Sequence, residues 1–159
     1  MKNIFLGTLI VVSFVLVLVF PSCDSPAIFK QNLIIENNIW VRDQTKGFEV
    51  EIKDTTLRFD INVEVRHASH YPFANLLIEL NIIYPSGEER VKAHDLLLRN
   101  SDGKFKGNGL GDIWDISIPI YKNHAFNSAG KYKFSIRNIM PVHETPGLME
   151  IGLKISKAK

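Results

Sequence analysis

Apolar and polar residues alternate through most of the chain. Over residues 57–66, Phe59, Ile61, Val63 and Val65 take turns with Asp60, Asn62, Glu64 and Arg66, which is the period-two signature of a strand with one face in a core and the other in water. Residues 48–52 alternate likewise, with Phe48, Val50 and Ile52 inward, and Asp54-Thr55-Thr56 suits a tight connection between the two runs. Residues 76–84 are apolar on both sides, which predicts a central strand partly covered on its second face. Pro85-Ser86-Gly87 then fixes one φ and permits a positive one, so a hairpin into residues 90–98 is predicted. Asn100-Ser101-Asp102-Gly103 marks another turn, after which Lys104-Phe105-Lys106 reads as a short strand. Residues 112–121, 131–137 and 149–155 complete the series. Pro119 removes a ladder donor and so assigns its strand to an edge or a strand end.

Many short alternating strands separated by Gly, Pro and Asn turns predict an all-β fold, an antiparallel sandwich or a barrel. Ser128-Ala129-Gly130-Lys131-Tyr132 favours the sandwich, because it looks like the tyrosine corner of Greek-key sandwiches, where the tyrosine bonds back to preceding backbone. As an ordinary glycine turn, the same segment would leave Tyr132 simply filling the core. The expected architecture is a Greek-key, immunoglobulin-like or jelly-roll-like sandwich preceded by an N-terminal apolar signal helix.

That N-terminal segment has its own logic. Lys2 precedes an uncharged, predominantly apolar run over residues 4–20, followed by Pro21, Ser22 and the single cysteine, Cys23. A positive start, an apolar stretch and a small residue before the cut describe a signal peptide, and a cysteine at that position describes a lipoprotein cleaved between Ser22 and Cys23. The rival reading is an uncleaved anchor, since the run lies near the lower limit of about 17 residues that span a bilayer. With one cysteine no intrachain disulfide can form, so stability must come from packing. Two or more acyl chains on Cys23 would anchor the protein stably, where one holds only marginally. The division expected is a signal peptide at 1–22, a tether and edge strand at 23–38, and a sandwich domain at 39–159.

Charge narrows the partners. The formal net charge is +2 over 159 residues, with lysines and acids interspersed, far from the basic stripe that phosphate contacts require, so nucleic acid is not an expected partner.

Candidate chemistry is sparse. Gly107-Asn108-Gly109-Leu110-Gly111 lacks the lysine and hydroxyl of a P-loop and the spacing of a dinucleotide fingerprint, and reads as a flexible connection. Asp112 and Asp115, three apart on a strand, point to opposite faces. His67 and His70 form a His-x-x-His pair without a third ligand at recognisable spacing, and His94, His124 and His143 are scattered; all five read as exposed polar residues rather than metal ligands. Trp40 and Trp114 could stack on sugars if exposed, but tryptophan is highly buried on average. No nucleophile motif or acid/base constellation stands out. The expectation is a non-enzyme without cofactor or metal.

Several segments in order resemble the GldH family of gliding-motility lipoproteins: Glu51-Ile52-Lys53-Asp54-Thr55, His70-Tyr71-Pro72-Phe73-Ala74-Asn75-Leu76, Tyr84-Pro85-Ser86-Gly87, the glycine cluster into Asp112-Ile113, Gly130-Lys131-Tyr132-Lys133-Phe134-Ser135-Ile136, and Gly147-Leu148-Met149-Glu150-Ile151-Gly152-Leu153. The resemblance implies an envelope lipoprotein held to the lipid bilayer through acylated Cys23. It also implies a structural or assembly relation to proteins of the gliding and type IX secretion machinery. Only Asp24 supplies acid just after the cysteine, which leans toward the periplasmic face of the outer membrane. A binding module for glycan or peptide is the alternative expectation.

Overall fold

The computed structural model describes residues 26–159, so the signal segment, Ser22 and Cys23 lie outside the described residues. Eleven strands follow in order: β1 (Ala27–Ile34), β2 (Ile39–Val41), β3 (Thr45–Ile52), β4 (Arg58–Ala68), β5 (Asn75–Ile83), β6 (Glu89–Leu97), β7 (Asn108–Leu110), β8 (Ile113–Ala125), β9 (Gly130–Asn138), β10 (Glu144–Pro146) and β11 (Leu148–Lys157). A five-stranded sheet in the order β1-β11-β4-β8-β7 packs on a four-stranded sheet in the order β3-β9-β5-β6, and β10-β2 forms a small ribbon. Every pairing is antiparallel. The expected antiparallel sandwich is the fold observed.

The period-two pattern decides which side chains fill the space between the sheets. Phe59, Ile61, Val63 and Val65 of β4 and Ile151, Leu153 and Ile155 of β11 are buried against Phe48, Val50 and Ile52 of β3, the inward residues of β5, and Tyr132, Phe134 and Ile136 of β9. Each such side chain contributes about 1.5–3 kcal/mol relative to exposure. β5 is an inner strand, as its two apolar faces imply, and it forms the expected hairpin with β6 from Asn75↔Leu97 to Ile83↔Glu89. The turn works because Gly87 adopts φ +86° while its N–H donates to the Tyr84 carbonyl at 2.9 Å, a conformation that a side chain would strain.

Two polar devices lock the ends of the sandwich. The Tyr132 hydroxyl donates to the Ser128 carbonyl at 2.8 Å, so Tyr132 makes the tyrosine corner. Asn138, fully buried, donates to the Trp40 carbonyl at 2.8 Å and to Thr145 Oγ1 at 3.1 Å, and its Oδ1 accepts from the Met140 N–H at 2.9 Å. That one side chain ties β9 to both strands of the β2-β10 ribbon.

Two local expectations change, and a third, the edge position of Pro119, holds. The Lys104–Lys106 strand reduces to one bridge, Arg99↔Phe105. The glycine cluster is no loose connection: it forms β7, and a Cβ on Gly109 would come within 2.9 Å of the Trp114 ring, so glycine lets the strand lie flat on that indole. Pro119 sits beside a register shift in the β4–β8 pairing, and β7 meets β8 only at Ile113 to Asp115, which leaves the proline on an edge without cost to the ladder.

Tyr132→Phe should lower stability by about 1 kcal/mol, the net worth of one hydrogen bond, read as a drop in the thermal midpoint; an unchanged midpoint would reduce the corner to simple packing. Asn138→Ala should cost more, about 2–4 kcal/mol, because it strands two buried backbone groups, and chemical denaturation would measure it.

Candidate functional site at the open flank of the sandwich

The two sheets meet differently on their two sides. On one side β1 lies near β3, and the Lys46 ammonium donates to the Ile34 carbonyl at 3.0 Å. On the other, β6 faces β8, and the residues between them do not close into a dry core. Ile116, Ile118, Ile120 and Tyr121 of β8 pack on the core yet stay half-buried. Opposite them, the inward positions of β6 that stay accessible are Arg90, Lys92 and His94, in register with Ile82, Leu80 and Ile78 of β5, while Leu96 at the strand's end is buried.

These three residues cover the flank with cations and rings rather than aliphatic bulk. The Arg90 guanidinium lies 5.0 Å from the Tyr84 ring centre, and the Lys92 ammonium 6.0 Å from that of Tyr121, both within the range of cation–π attraction. His94 meets Tyr121 edge-on at 5.9 Å, Tyr121 meets His124 at 5.4 Å, and His124 meets Phe126 at 4.8 Å. The far end of the flank is sealed by the crossover after β6. There Arg99 stacks 3.6 Å above Phe105, and Phe105 contacts both His67 and Trp114.

The histidines depart from the exposed reading. His67 is fully buried, and His94 and His124 are half-buried, while His70 and His143 are exposed. The physical reason is position: His67 occupies an inward place on β4 and His94 one on β6, where the strand period carries polar and apolar side chains alike into the interior. Burial lowers the pKa of all three, helped by Arg99 at His67, by Lys92 at His94 and by Arg90 and Arg58 at His124. His67 Nδ1 lies 3.0 Å from the Ala68 carbonyl, which assigns its proton to that nitrogen. Among the described residues the Nε2 atoms of all three have no hydrogen-bond partner.

The other candidates do not gather. His67 and His70 diverge, one inside and one in water. Asp112 accepts from the Ser69 hydroxyl at 3.1 Å, whereas Asp115 takes a two-pronged bond from Arg66 at 2.7 and 3.1 Å. Arg66 also reaches Glu150 at 2.8 Å, and these carboxylates hold its guanidinium pKa up. A depression of about 280 Å³ on that outer face is lined by Lys30, Glu64, Arg66 and Asp115, charges already paired with one another. Trp40 is fully buried and Trp114 lies against Gly109 and Phe105, so the tryptophans form no open stacking platform. Among the described residues no three His, Cys, Asp or Glu side chains gather as a metal site. The basic lining of β6 was missed by sequence reasoning, although Arg90, Lys92 and His94 at every second position were its visible signal.

Residues 27–155, almost the whole sandwich, match the family described as GldH lipoprotein. The chain belongs to the GldH lipoprotein family. A gliding motility lipoprotein GldH homolog from Christiangramia forsetii is 26% identical over 149 residues, covering 89% of this chain and 91% of its own. The gliding motility lipoprotein GldH of Flavobacterium johnsoniae is 28% identical over 143 residues, covering 86% of this chain and 88% of its own. Among solved structures, a family GH115 4-O-methyl-α-glucuronidase with specificity for decorated arabinogalactans aligns over 86% of this chain and 18% of its own, at 11% identity and a TM-score of 0.45. So loose a likeness carries no functional argument.

The lowered histidine pKa values set a pH dependence. An unfolded chain takes up protons near the ordinary value of 6.5, while the buried rings resist them, so their stabilisation is complete above that pH and is lost as pH falls below it toward the lowered folded values. Urea denaturation between pH 8 and pH 5 should show stability falling on the acid side. A His67→Phe, His124→Phe double variant should have a shallower slope; an unaltered slope would assign the effect to other groups.

Proposed function

We propose that this GldH-family chain is an envelope lipoprotein that serves a structural or assembly role in the gliding and type IX secretion machinery. Acyl chains on Cys23 hold it to a membrane, at the periplasmic face of the outer membrane. The observation that carries this reading is the match of residues 27–155 to the family, with relatives that are named gliding motility lipoproteins. Cys23 stands four residues before the start of β1, a covalent reach of at most about 14 Å. A domain on so short a leash stays beside the bilayer and meets other envelope proteins at raised effective concentration. The role needs no catalytic step, and the aromatic and cationic lining of the flank suits recognition.

The glycan version of the alternative reading loses its platform, because Trp40 is buried and Trp114 is covered by Gly109 and Phe105. A peptide ligand remains compatible with the free strand edges. Metabolic labelling of cells with an alkyne fatty acid, followed by membrane fractionation, tests the anchor. The expected result is labelled protein in the outer-membrane fraction and unlabelled, cleavage-defective precursor for Cys23→Ala. Equal labelling of both forms would refute the Cys23 assignment, and loss of the protein on protease treatment of intact cells would refute the periplasmic orientation.

A further inference from the structure

We propose that the outer edge of β6 is a strand-addition site for an extended peptide segment of a partner protein in which acidic and apolar residues alternate. The inference deepens the assembly role proposed above by naming the surface and the chemistry through which the tethered domain takes a partner.

The Leu98 N–H donates to the Ala74 carbonyl at 2.9 Å and the Tyr84 N–H to the Glu88 carbonyl at 2.8 Å. These pairs share the register of Lys92↔Leu80 and Arg90↔Ile82. In an antiparallel ladder hydrogen-bonded and non-bonded pairs alternate, so Arg90, Lys92, His94 and Leu96 spend their amides on β5. Glu89, Val91, Ala93, Asp95 and Leu97 therefore direct theirs outward, and among the described residues no strand pairs with that side. The pairing with β5 has no register shift, and the strand contains no proline. The other edges differ: β8 carries Pro119 and register shifts, β1 has a shift between Ala27 and Phe29, and β3, regular over its eight residues, has β1 beside it and Lys46 bridging the two. β6 is the long, regular edge, and a regular row of unpaired amides and carbonyls is what an added strand recognises.

Side chains specify what the added strand should carry. On the outer face of the sheet, Val91 is 55% and Leu97 53% exposed, with Ala93 between them, a surface that favours apolar partners. On the inner side an incoming strand would lie beside Arg90 and Lys92, over the half-buried Tyr121 that Lys92 and His94 contact. Arg90 has Glu88 at 2.9 Å, whereas Lys92 contacts the Tyr121 ring and makes no ion pair among the described residues. Burial and Lys92 keep His94 uncharged more readily than a free imidazole. Lys92 is thus a cation without a carboxylate beside an open flank, and an acid in the facing position of an added strand would supply one. A second copy of this chain is a poorer occupant, because edge-to-edge pairing of two β6 strands would bring two Arg90–Lys92 sets together on the inner face, while the acids of β6, Glu89 and Asp95, lie on the outer face bonded to Asn81 and Asn75.

The test uses the full lipidated chain in detergent micelles and dye-labelled synthetic nonapeptides, one alternating Glu and Val and one alternating Lys and Val, read by fluorescence anisotropy. The Glu–Val peptide should bind at least about tenfold more tightly than the Lys–Val peptide, with Lys92→Glu reversing the order. Ala93→Pro removes an outward amide while leaving the ladder to β5 intact, so it should keep the thermal midpoint near that of the parent and weaken Glu–Val binding at least about tenfold. Equal binding of the two peptides, binding unaffected by Ala93→Pro, or no binding by the parent would each overturn the proposal. A concentration-dependent dimer abolished by Ala93→Pro would also overturn it, in favour of self-pairing. The Cys23→Ala chain should bind as the parent does, so the outcome stands apart from that of the acylation experiment.

Discussion

An open β-sandwich cannot pair all of its backbone: each sheet ends in strands whose outer amides and carbonyls have no ladder partner. Everything distinctive about this chain follows from how it treats those margins. On one side β1 and β3 approach each other and Lys46 caps a β1 carbonyl. On the other, β8 is broken by Pro119 and register shifts, devices that discourage pairing. β6 uses neither. It places Arg90 and Lys92 inward, which keeps the flank soluble while leaving the amide row regular. Stability and function meet here, because the groups that protect an edge from indiscriminate association also set the chemistry of a selective one.

The rest of the molecule holds that margin rigid. Alternation supplies the buried layer, Tyr132 and Asn138 pin the ends through hydrogen bonds to backbone, and Gly109 lets β7 lie against Trp114 so that the crossover from β6 to β8 closes on Phe105, His67 and Arg99. A preordered edge loses less conformational freedom when it takes up a strand than a loop would. Under the proposed acylation, the short covalent distance from Cys23 to β1 would add a second constraint by keeping the domain near a membrane.

Much of the fold was legible in the sequence because half-buried strands advertise themselves by period. β4, β5, β6, β8, β9 and β11 coincide with alternating runs to within a few residues at each end, and Tyr132 announced its corner through the glycine before it. β2 and β10 were not legible: three residues each, they are held by Asn138 and Thr145 rather than by any pattern of their own. The histidines misled for a related reason. His67 and His94 occupy inward places in runs whose inward residues are otherwise mostly apolar, and a polar residue type outweighed its position. The glycine cluster looked flexible because only the fold brings Trp114 against Gly109. The open flank was invisible for the same reason: Arg90 and Lys92 acquire meaning once β6 is known to be an edge facing β8.

The central claim is that a tethered GldH-family sandwich presents β6 to an envelope partner. The most direct measurement is photo-crosslinking in living cells with a photoreactive amino acid placed at Ala93, beside a control at Glu49 on the outer face of β3, with the crosslinked peptides sequenced. The account predicts that position 93 captures an extended acidic and apolar segment of another envelope protein, while position 49 does not. Capture of the same partner from both positions, or from 49 alone, would contradict it.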